Sequence, residues 1–118
     1  MKKILVVEDE ESQRILYQQE FTEMGYDVAL ASDGEEALRM AQQNRPDLVI
    51  LDIRMPGLSG FDVLRDLLND EPRIPVIINT AYTHYKEHFM SWAADEYIVK
   101  SSDLTELKKA VRKILPQK

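Results

Sequence analysis

The stretch Leu48-Val49-Ile50-Leu51-Asp52 places four consecutive apolar residues directly before a carboxylate. A short apolar run rich in β-branched residues is typical of a strand that is buried on both faces of a sheet. Such strands lie in the middle of parallel sheets, because helices must cover both of their faces. The segment therefore predicts an interior strand with an acid at its carboxyl end.

Similar short apolar runs recur on both sides of this segment, with longer stretches of helical periodicity between them. The other runs are Ile4–Val7, Val28–Ala31, Val76–Ile78 and Tyr97–Val99. Strand and helix alternating about five times predict an α/β fold around a parallel sheet, with right-handed crossovers.

Two helical stretches carry signals for their ends. Tyr17 and Phe21 fall on one face of the first stretch, and Gly25 supplies its stop. Ser32, with Glu35 three residues later, predicts a capping box at the start of the second. Further helices are predicted around residues 61–68, around residues 89–93 and near the end of the chain.

Composition excludes several classes of function. The chain has 118 residues, 44% of them hydrophobic, which fits one domain, residues 1–118, and argues against disorder. Cysteine is absent, so disulfides and zinc–cysteine sites are excluded, and we expect a cytoplasmic location. A net charge of −6 disfavours direct binding to nucleic acid, and no apolar run is long enough for a membrane helix.

Polar residues follow the apolar runs where a site is expected. Ligands of open parallel sheets bind beyond the carboxyl ends of the strands. The sequence supplies carboxylates, an amide, a hydroxyl and an ammonium group at those positions: Glu8, Asp9, Asp52, Asn79, Thr80 and Lys100. Each residue alone is more often a cap or turn residue. Their coincidence at the same ends of successive strands favours a shared site.

This set of groups suits phosphoryl transfer onto Asp52. Clustered carboxylates repel one another, so their pKa values rise unless a cation intervenes. Oxygen ligands without histidine or cysteine favour Mg²⁺. A carboxylate can act as a nucleophile and form an aspartyl phosphate, while Mg²⁺ and a lysine neutralise the transferring group.

Four blocks of the sequence, in order, resemble the receiver domain of two-component response regulators, which has a chemotaxis-regulator-like fold. The blocks are Ile4–Glu10, Pro46–Gly57 with Gly60, Thr80-Ala81 and Tyr97–Lys100. The similarity runs from about residue 3 to residue 115. It implies a doubly wound (βα)5 flavodoxin-like fold, with a five-stranded parallel sheet in the order 2-1-3-4-5.

The resemblance also implies the chemistry of the site. Asp52 would accept a phosphoryl group from a phosphohistidine of a sensor histidine kinase or histidine phosphotransfer protein. Mg²⁺ would be held by Glu8, Asp9, Asp52 and the backbone carbonyl of Arg54. Glu8 stands where the family most often has aspartate, so its extra methylene changes its reach toward the metal.

Further roles follow from the same resemblance. Lys100 would pair with the phosphoryl oxygens, and Thr80 and Tyr97 would act as the switch that reshapes a protein-binding surface. The domain would assist its own phosphorylation and dephosphorylation without turning over a separate substrate, and would signal to a downstream protein. Ser101 follows Lys100 where the family usually has proline, so the geometry of that loop is expected to differ.

Three other functions fit this sequence less well. A Mg²⁺-dependent phosphatase with an aspartate nucleophile usually has a second aspartate two residues later, where this chain has Arg54. A receiver-like module that is never phosphorylated has typically lost acidic or lysine positions, and all are filled here. A flavodoxin-like electron carrier needs a phosphate loop after the first strand, where Glu8 and Asp9 would repel a flavin phosphate.

Overall fold

The structure is a computed structural model that describes residues 1–52, 65, 74–81 and 94–116. Five strands and three helices have both ends within these residues, and we number them in chain order: β1 (Lys3–Val7), α1 (Glu11–Glu23), β2 (Asp27–Ala31), α2 (Gly34–Gln43), β3 (Leu48–Leu51), β4 (Val76–Thr80), β5 (Glu96–Val99) and α3 (Thr105–Ile114). Apart from Arg65, which is helical, the predicted helices around residues 61–68 and 89–93 lie outside the described residues.

The strands form one parallel sheet in the order β2-β1-β3-β4-β5, which confirms the predicted topology. β3 lies in the middle and pairs with β1 on one side and β4 on the other. In this register Leu51 faces Val7 on β1 and Ile78 on β4. The residues that follow these three positions therefore meet at the same edge of the sheet.

β3 is buried on both faces, as its unbroken apolar run predicts. All four of its residues are at most 1% exposed. Leu48 and Ile50 pack into the apolar cluster that includes Tyr17, Phe21 and Val111, on the side of α1 and α3. Val49 and Leu51 pack into the cluster on the opposite face, the side of α2. Within the described residues, no helix is long and apolar enough to cross a bilayer.

α1 has the predicted apolar face and the predicted end. Tyr17 and Phe21 are buried, and their ring centroids lie 6.3 Å apart. Met24 caps the helix, with its backbone N–H donating to the Glu20 carbonyl. Gly25 follows with a φ of 95°, in the left-handed region that glycine adopts without a steric penalty.

The start of α2 is displaced by one residue from the predicted capping box. Asp33, not Ser32, is the N-cap, and its Oδ1 accepts a hydrogen bond from the Glu36 N–H at 2.8 Å. Glu36 Oε1 in turn accepts from the Ser32 N–H at 2.7 Å. Adjacent acidic residues make two registers of the same motif compatible with the sequence, which is why the prediction with Glu35 was wrong.

Tyr26 ties the turn after α1 to the end of α3. Its side chain is fully buried, and its hydroxyl donates to the Leu115 carbonyl at 2.5 Å. Burial raises the pKa of Tyr26, although the nearby Arg112 charge acts in the opposite direction. This contact lies at the edge of the sheet where β2 begins, away from the carboxyl ends of the strands.

We expect Tyr26→Phe to lower the free energy of unfolding by about 1–3 kcal/mol near neutral pH, because the buried Leu115 carbonyl loses its donor. A raised pKa in the folded state gives stability that is present below about pH 10 and lost as pH rises further. The difference should therefore narrow in alkaline solution. Urea unfolding at several pH values measures this, and equal midpoints for both proteins at neutral pH would contradict it.

Candidate functional site

The first site segment follows β1 directly. The Glu8 backbone N–H donates to the Ala31 carbonyl on β2 at 3.0 Å, and the Glu8 carbonyl accepts from Arg14 Nη1 at 2.8 Å. These bonds fix the backbone on both sides and hold the Glu8 side chain, which is 2% exposed, at the edge of the sheet. Asp9, the next residue, is exposed.

Asp52 lies beside this segment because β3 pairs with β1. Its backbone N–H donates to the Val7 carbonyl at 3.1 Å, and the residue is 6% exposed. Carboxylate oxygens of Glu8, Asp9 and Asp52 lie within 4.8 Å of one another. The structure thus brings together the three acids that the sequence predicts at this edge.

Lys100 provides the positive charge among these acids. Its backbone N–H donates to the Thr80 carbonyl at 2.7 Å, which joins the ends of β5 and β4. Its ammonium Nζ donates to both carboxylate oxygens of Glu8, at 2.9 and 2.8 Å, and to Asp52 Oδ2 at 2.8 Å. One cation therefore bridges two buried carboxylates from different strands.

The ionisation of Glu8 reflects its surroundings. Burial raises its pKa from the usual 4.5 to about 7, with a further upward contribution from the Asp52 charge, and the hydrogen bonds from Lys100 reduce the increase. For Lys100 itself, burial lowers the pKa, but its hydrogen bonds to Asp52 and Glu8 more than offset that and leave the pKa above its ordinary value. The ammonium ion is thus retained while Glu8 titrates near neutrality.

Thr80 lies at the end of β4, in the wall of a cleft above the sheet. The residue is fully buried, and the cleft of about 480 Å³ is lined by Glu8, Asp9, Glu10, Asp52, Thr80, Ala81 and Lys100. Tyr97 is 6% exposed and packs into the apolar cluster with Ile78, outside the lining of this cleft. The Arg54 carbonyl, predicted as a metal ligand, lies outside the described residues.

The loop after Lys100 begins with Ser101, at the position where the resemblance implies a proline. Ser101 Oγ accepts a hydrogen bond from the Asp103 N–H at 3.1 Å, a contact that proline could not make. Asp103 Oδ1 then accepts from the Thr105 N–H and hydroxyl, and these bonds lower its pKa. The expected difference in backbone geometry from the family stays a prediction.

Two contacts near the site were not foreseen from the sequence. Tyr17, which the helical pattern assigned to the core, accepts a hydrogen bond from Asn79 Nδ2 at 3.0 Å. Arg14, on the same helix, holds the Glu8 carbonyl. An asparagine inside an otherwise apolar strand was the available signal for the first contact. The second involves a backbone acceptor, which residue types do not reveal.

A family comparison agrees with this geometry. Residues 4–112 match the family model described as the response regulator receiver domain. The chain belongs to this family. It is a receiver domain of the kind found in two-component signalling systems.

Individual relatives extend this result. The receiver domain is 40% identical over 116 residues to the alkaline phosphatase synthesis transcriptional regulatory protein PhoP of Bacillus subtilis, covering 97% of this chain and 48% of that protein. It thus spans about half the length of the first such relatives. It is also 36% identical to sporulation initiation phosphotransferase F of Bacillus subtilis, covering 99% of this chain and 96% of that protein.

Solved structures show the same fold. The response regulator TrrA of Thermotoga maritima, in complex with Mg²⁺–BeF, superposes with a TM-score of 0.92 at 48% identity, covering 98% of this chain and all of that one. TrrA in complex with the histidine kinase ThkA gives a TM-score of 0.88 at 47% identity, covering 98% and 99%.

We expect the stability of the receiver domain without metal to depend on pH through Glu8. A pKa raised from 4.5 to about 7 gives stability that is present below pH 4.5 and lost as pH rises through about 7. Relative to Glu8→Gln, the parent should therefore lose on the order of 3 kcal/mol of unfolding free energy across that window.

Urea unfolding in the presence of a chelator, at several pH values, measures this difference. Comparing the parent with the variant cancels the titration of carboxylates that do not interact with Glu8. A difference that stays constant with pH would show that Glu8 keeps an ordinary pKa in the folded protein.

Proposed function

We propose that this receiver domain accepts a phosphoryl group at Asp52 from the phosphohistidine of a sensor histidine kinase or histidine phosphotransfer protein. The observation that carries this proposal is the contact between Asp52 Oδ2 and the Lys100 ammonium at 2.8 Å, at the floor of an open cleft. The complex of TrrA with the histidine kinase ThkA supports a kinase as the partner.

The proposed transfer step involves the side chains of Asp52, Lys100 and Thr80. A carboxylate oxygen of Asp52 attacks the phosphorus, the new O–P bond forms as the P–N bond of phosphohistidine breaks, and the electron pair returns to the imidazole nitrogen. Lys100 donates to this carboxylate before the reaction, so its charge lies where the phosphoryl oxygens arrive. The Thr80 hydroxyl, at the adjacent strand end, is the proposed donor to a phosphoryl oxygen.

The acidic cluster fits a magnesium ion. Three carboxylates with oxygens within 4.8 Å of one another, one of them exposed to solvent, match the preference of Mg²⁺ for a few carboxylates and water. We propose Glu8, Asp9, Asp52 and the Arg54 carbonyl as its ligands, and the TrrA complex with Mg²⁺–BeF supports magnesium as the ion. When bound, the ion would neutralise charge on the transferring phosphoryl group.

Lys100 cannot keep all of its present contacts and also donate to a phosphoryl group, because its three N–H donors go to Glu8 and Asp52. Its ammonium donates to both oxygens of Glu8, so those oxygens are shared with a cation already. A metal ion bound to Glu8 would repel the ammonium group, so metal binding would favour release of at least part of this contact. The phosphoryl group on Asp52 provides new oxygen acceptors for it, so metal binding and phosphorylation favour the same position of Lys100.

The proposed switch involves Thr80 and Tyr97. Both side chains are buried, Thr80 at the edge of the cleft and Tyr97 in the apolar cluster behind β4 and β5. A phosphoryl group would attract the Thr80 hydroxyl, and movement of that side chain would change the space open to Tyr97. The protein-binding surface then shifts between two packings according to the charge at Asp52.

We propose that residues 1–118 act as one receiver domain, which the single five-stranded sheet supports, and that this domain works in the cytoplasm. It would assist the gain and loss of its own phosphoryl group and would turn over no separate substrate. Its output would pass to a downstream protein.

Incubation with a small phosphodonor and magnesium should add one phosphoryl group to the intact protein, detected as a mass increase. Asp52→Asn and addition of a chelator should both abolish the increase, because they remove the nucleophile and the metal. Asp47→Asn is the matched control, since Asp47 precedes the same strand at its opposite end. Unmodified parent protein, under conditions that phosphorylate another receiver domain, would refute the proposed function.

Asp9→Asn should weaken magnesium binding about tenfold or more, because it removes a charged ligand from the cluster. Its effect on stability should be small, since Asp9 is exposed. Glu10→Gln removes a neighbouring charge that lines the cleft without belonging to the cluster, and should change affinity far less. Calorimetric titration with magnesium compares the three proteins, and equal losses for both variants would show that only general charge matters.

A further inference from the structure

α1 packs across the three strands that build the site. Its buried residues Tyr17 and Phe21 belong to the same apolar cluster as Ile4 and Val6 of β1, Leu48 and Ile50 of β3, and Ile77 of β4. The strand order places β1 and β4 on either side of β3, which carries Asp52 at its end. A helix that contacts both flanking strands can therefore set their separation around Asp52.

The polar contact between α1 and the end of β1 is made by Arg14. Its Nη1 donates to the Glu8 carbonyl at 2.8 Å, next to the backbone bond that joins Glu8 to Ala31. A hydrogen bond from a charged donor is stronger than one between neutral groups. The end of β1 is thus held to α1 at the residue whose side chain meets Lys100.

The contact with β4 comes from Tyr17, three residues further along the same helix. Asn79 Nδ2 donates to the Tyr17 hydroxyl at 3.0 Å, and the two residues are 3% and 2% exposed. Because side chains alternate along a strand, Asn79 faces α1 while Thr80, the next residue, faces the opposite side. The Thr80 carbonyl also accepts a hydrogen bond from the Lys100 N–H. The Asn79–Tyr17 bond therefore fixes the end of β4 next to the point where β4 is joined to the end of β5.

We propose that Tyr17 and Asn79 are positioning residues for phosphoryl transfer at Asp52, and that their hydrogen bond fixes the end of β4 relative to α1 and so to Glu8. This inference rests on the proposed function of the site. The bond acts on Thr80 and Lys100 through the backbone and touches none of the reacting atoms.

A buried polar pair is a costly way to fill this space. Two apolar side chains of similar shape can replace such a pair with little or no loss of stability, whereas removal of one partner leaves the other unsatisfied. The polar pair adds geometric specificity, because a hydrogen bond favours one relative arrangement of α1 and β4 where apolar contacts allow several. Burial raises the pKa of Tyr17, the hydrogen bond from Asn79 acts in the opposite direction, and the charges of Lys100, Glu8 and Asp52 make smaller contributions.

The test compares Tyr17→Phe, Asn79→Leu and the double variant with the parent, and uses Tyr26→Phe as a matched control. Tyr26 is another buried tyrosine whose hydroxyl donates to a carbonyl, but at the far edge of the sheet. For each protein, urea unfolding gives stability, and intact mass gives the rate of phosphorylation by a small donor with saturating magnesium. Amide resonances of Thr80 and Lys100 report the local geometry.

Each single variant at the pair should lose stability, and the double variant should regain much of it. The phosphorylation rate should nevertheless remain at least about threefold below the parent in all three, with shifted Thr80 and Lys100 resonances. Tyr26→Phe should lose stability without either change.

A double variant that reacts at the parent rate, or a Tyr26→Phe protein that slows as much as Tyr17→Phe, would overturn the proposal and leave the pair a structural contact. If Asn79→Leu fails to fold, the comparison of Tyr17→Phe with Tyr26→Phe decides alone. A parent that takes up no phosphoryl group would refute the proposed function instead, which keeps the two failures distinct.

Discussion

The site depends on one ammonium group held between two buried carboxylates. Glu8 and Asp52 come from adjacent strands, and at close range their negative charges would repel each other in a poorly solvated environment. Lys100 reaches both with hydrogen bonds of 2.8 to 2.9 Å, and so makes their proximity tolerable. Burial, and to a smaller extent the Asp52 charge, nevertheless raises the pKa of Glu8 above its ordinary value. A further cation beside these carboxylates would reduce the remaining repulsion between them.

The parallel sheet makes this arrangement possible. Hydrogen bonds between β1, β3, β4 and β5 bring the ends of four strands to one edge, and the chain places a polar or charged residue at each end. The strands themselves are almost wholly apolar, so helices must cover both faces and the polar groups are confined to the edge. The packing of helices on the sheet also places α1 across β1 and β4. There Arg14 and Tyr17 make hydrogen bonds to the two strand ends that flank Asp52.

Much of the architecture could be predicted from sequence because it follows from local patterns. The apolar run at Leu48–Leu51 indicates an interior strand, and Gly25 indicates the end of α1 by the conformation that it allows. The capping box was misplaced by one residue, since Asp33 and Glu36 satisfy the same rule as Ser32 and Glu35. Local sequence rules identify a capping box but do not choose between two overlapping positions for it. That choice depends on how the helix packs.

The sequence by itself determined the strand content, the acids at the strand ends and the family resemblance, because these depend on residue type and spacing along the chain. Only the tertiary structure decided that the Lys100 ammonium donates to both carboxylate oxygens of Glu8, and that the Asn79 side chain donates to the Tyr17 hydroxyl. These pairs are separated by 92 and 62 positions in the chain. Their contact depends on the packing of helices on the sheet and on side-chain direction, and neither is encoded in any short stretch of sequence.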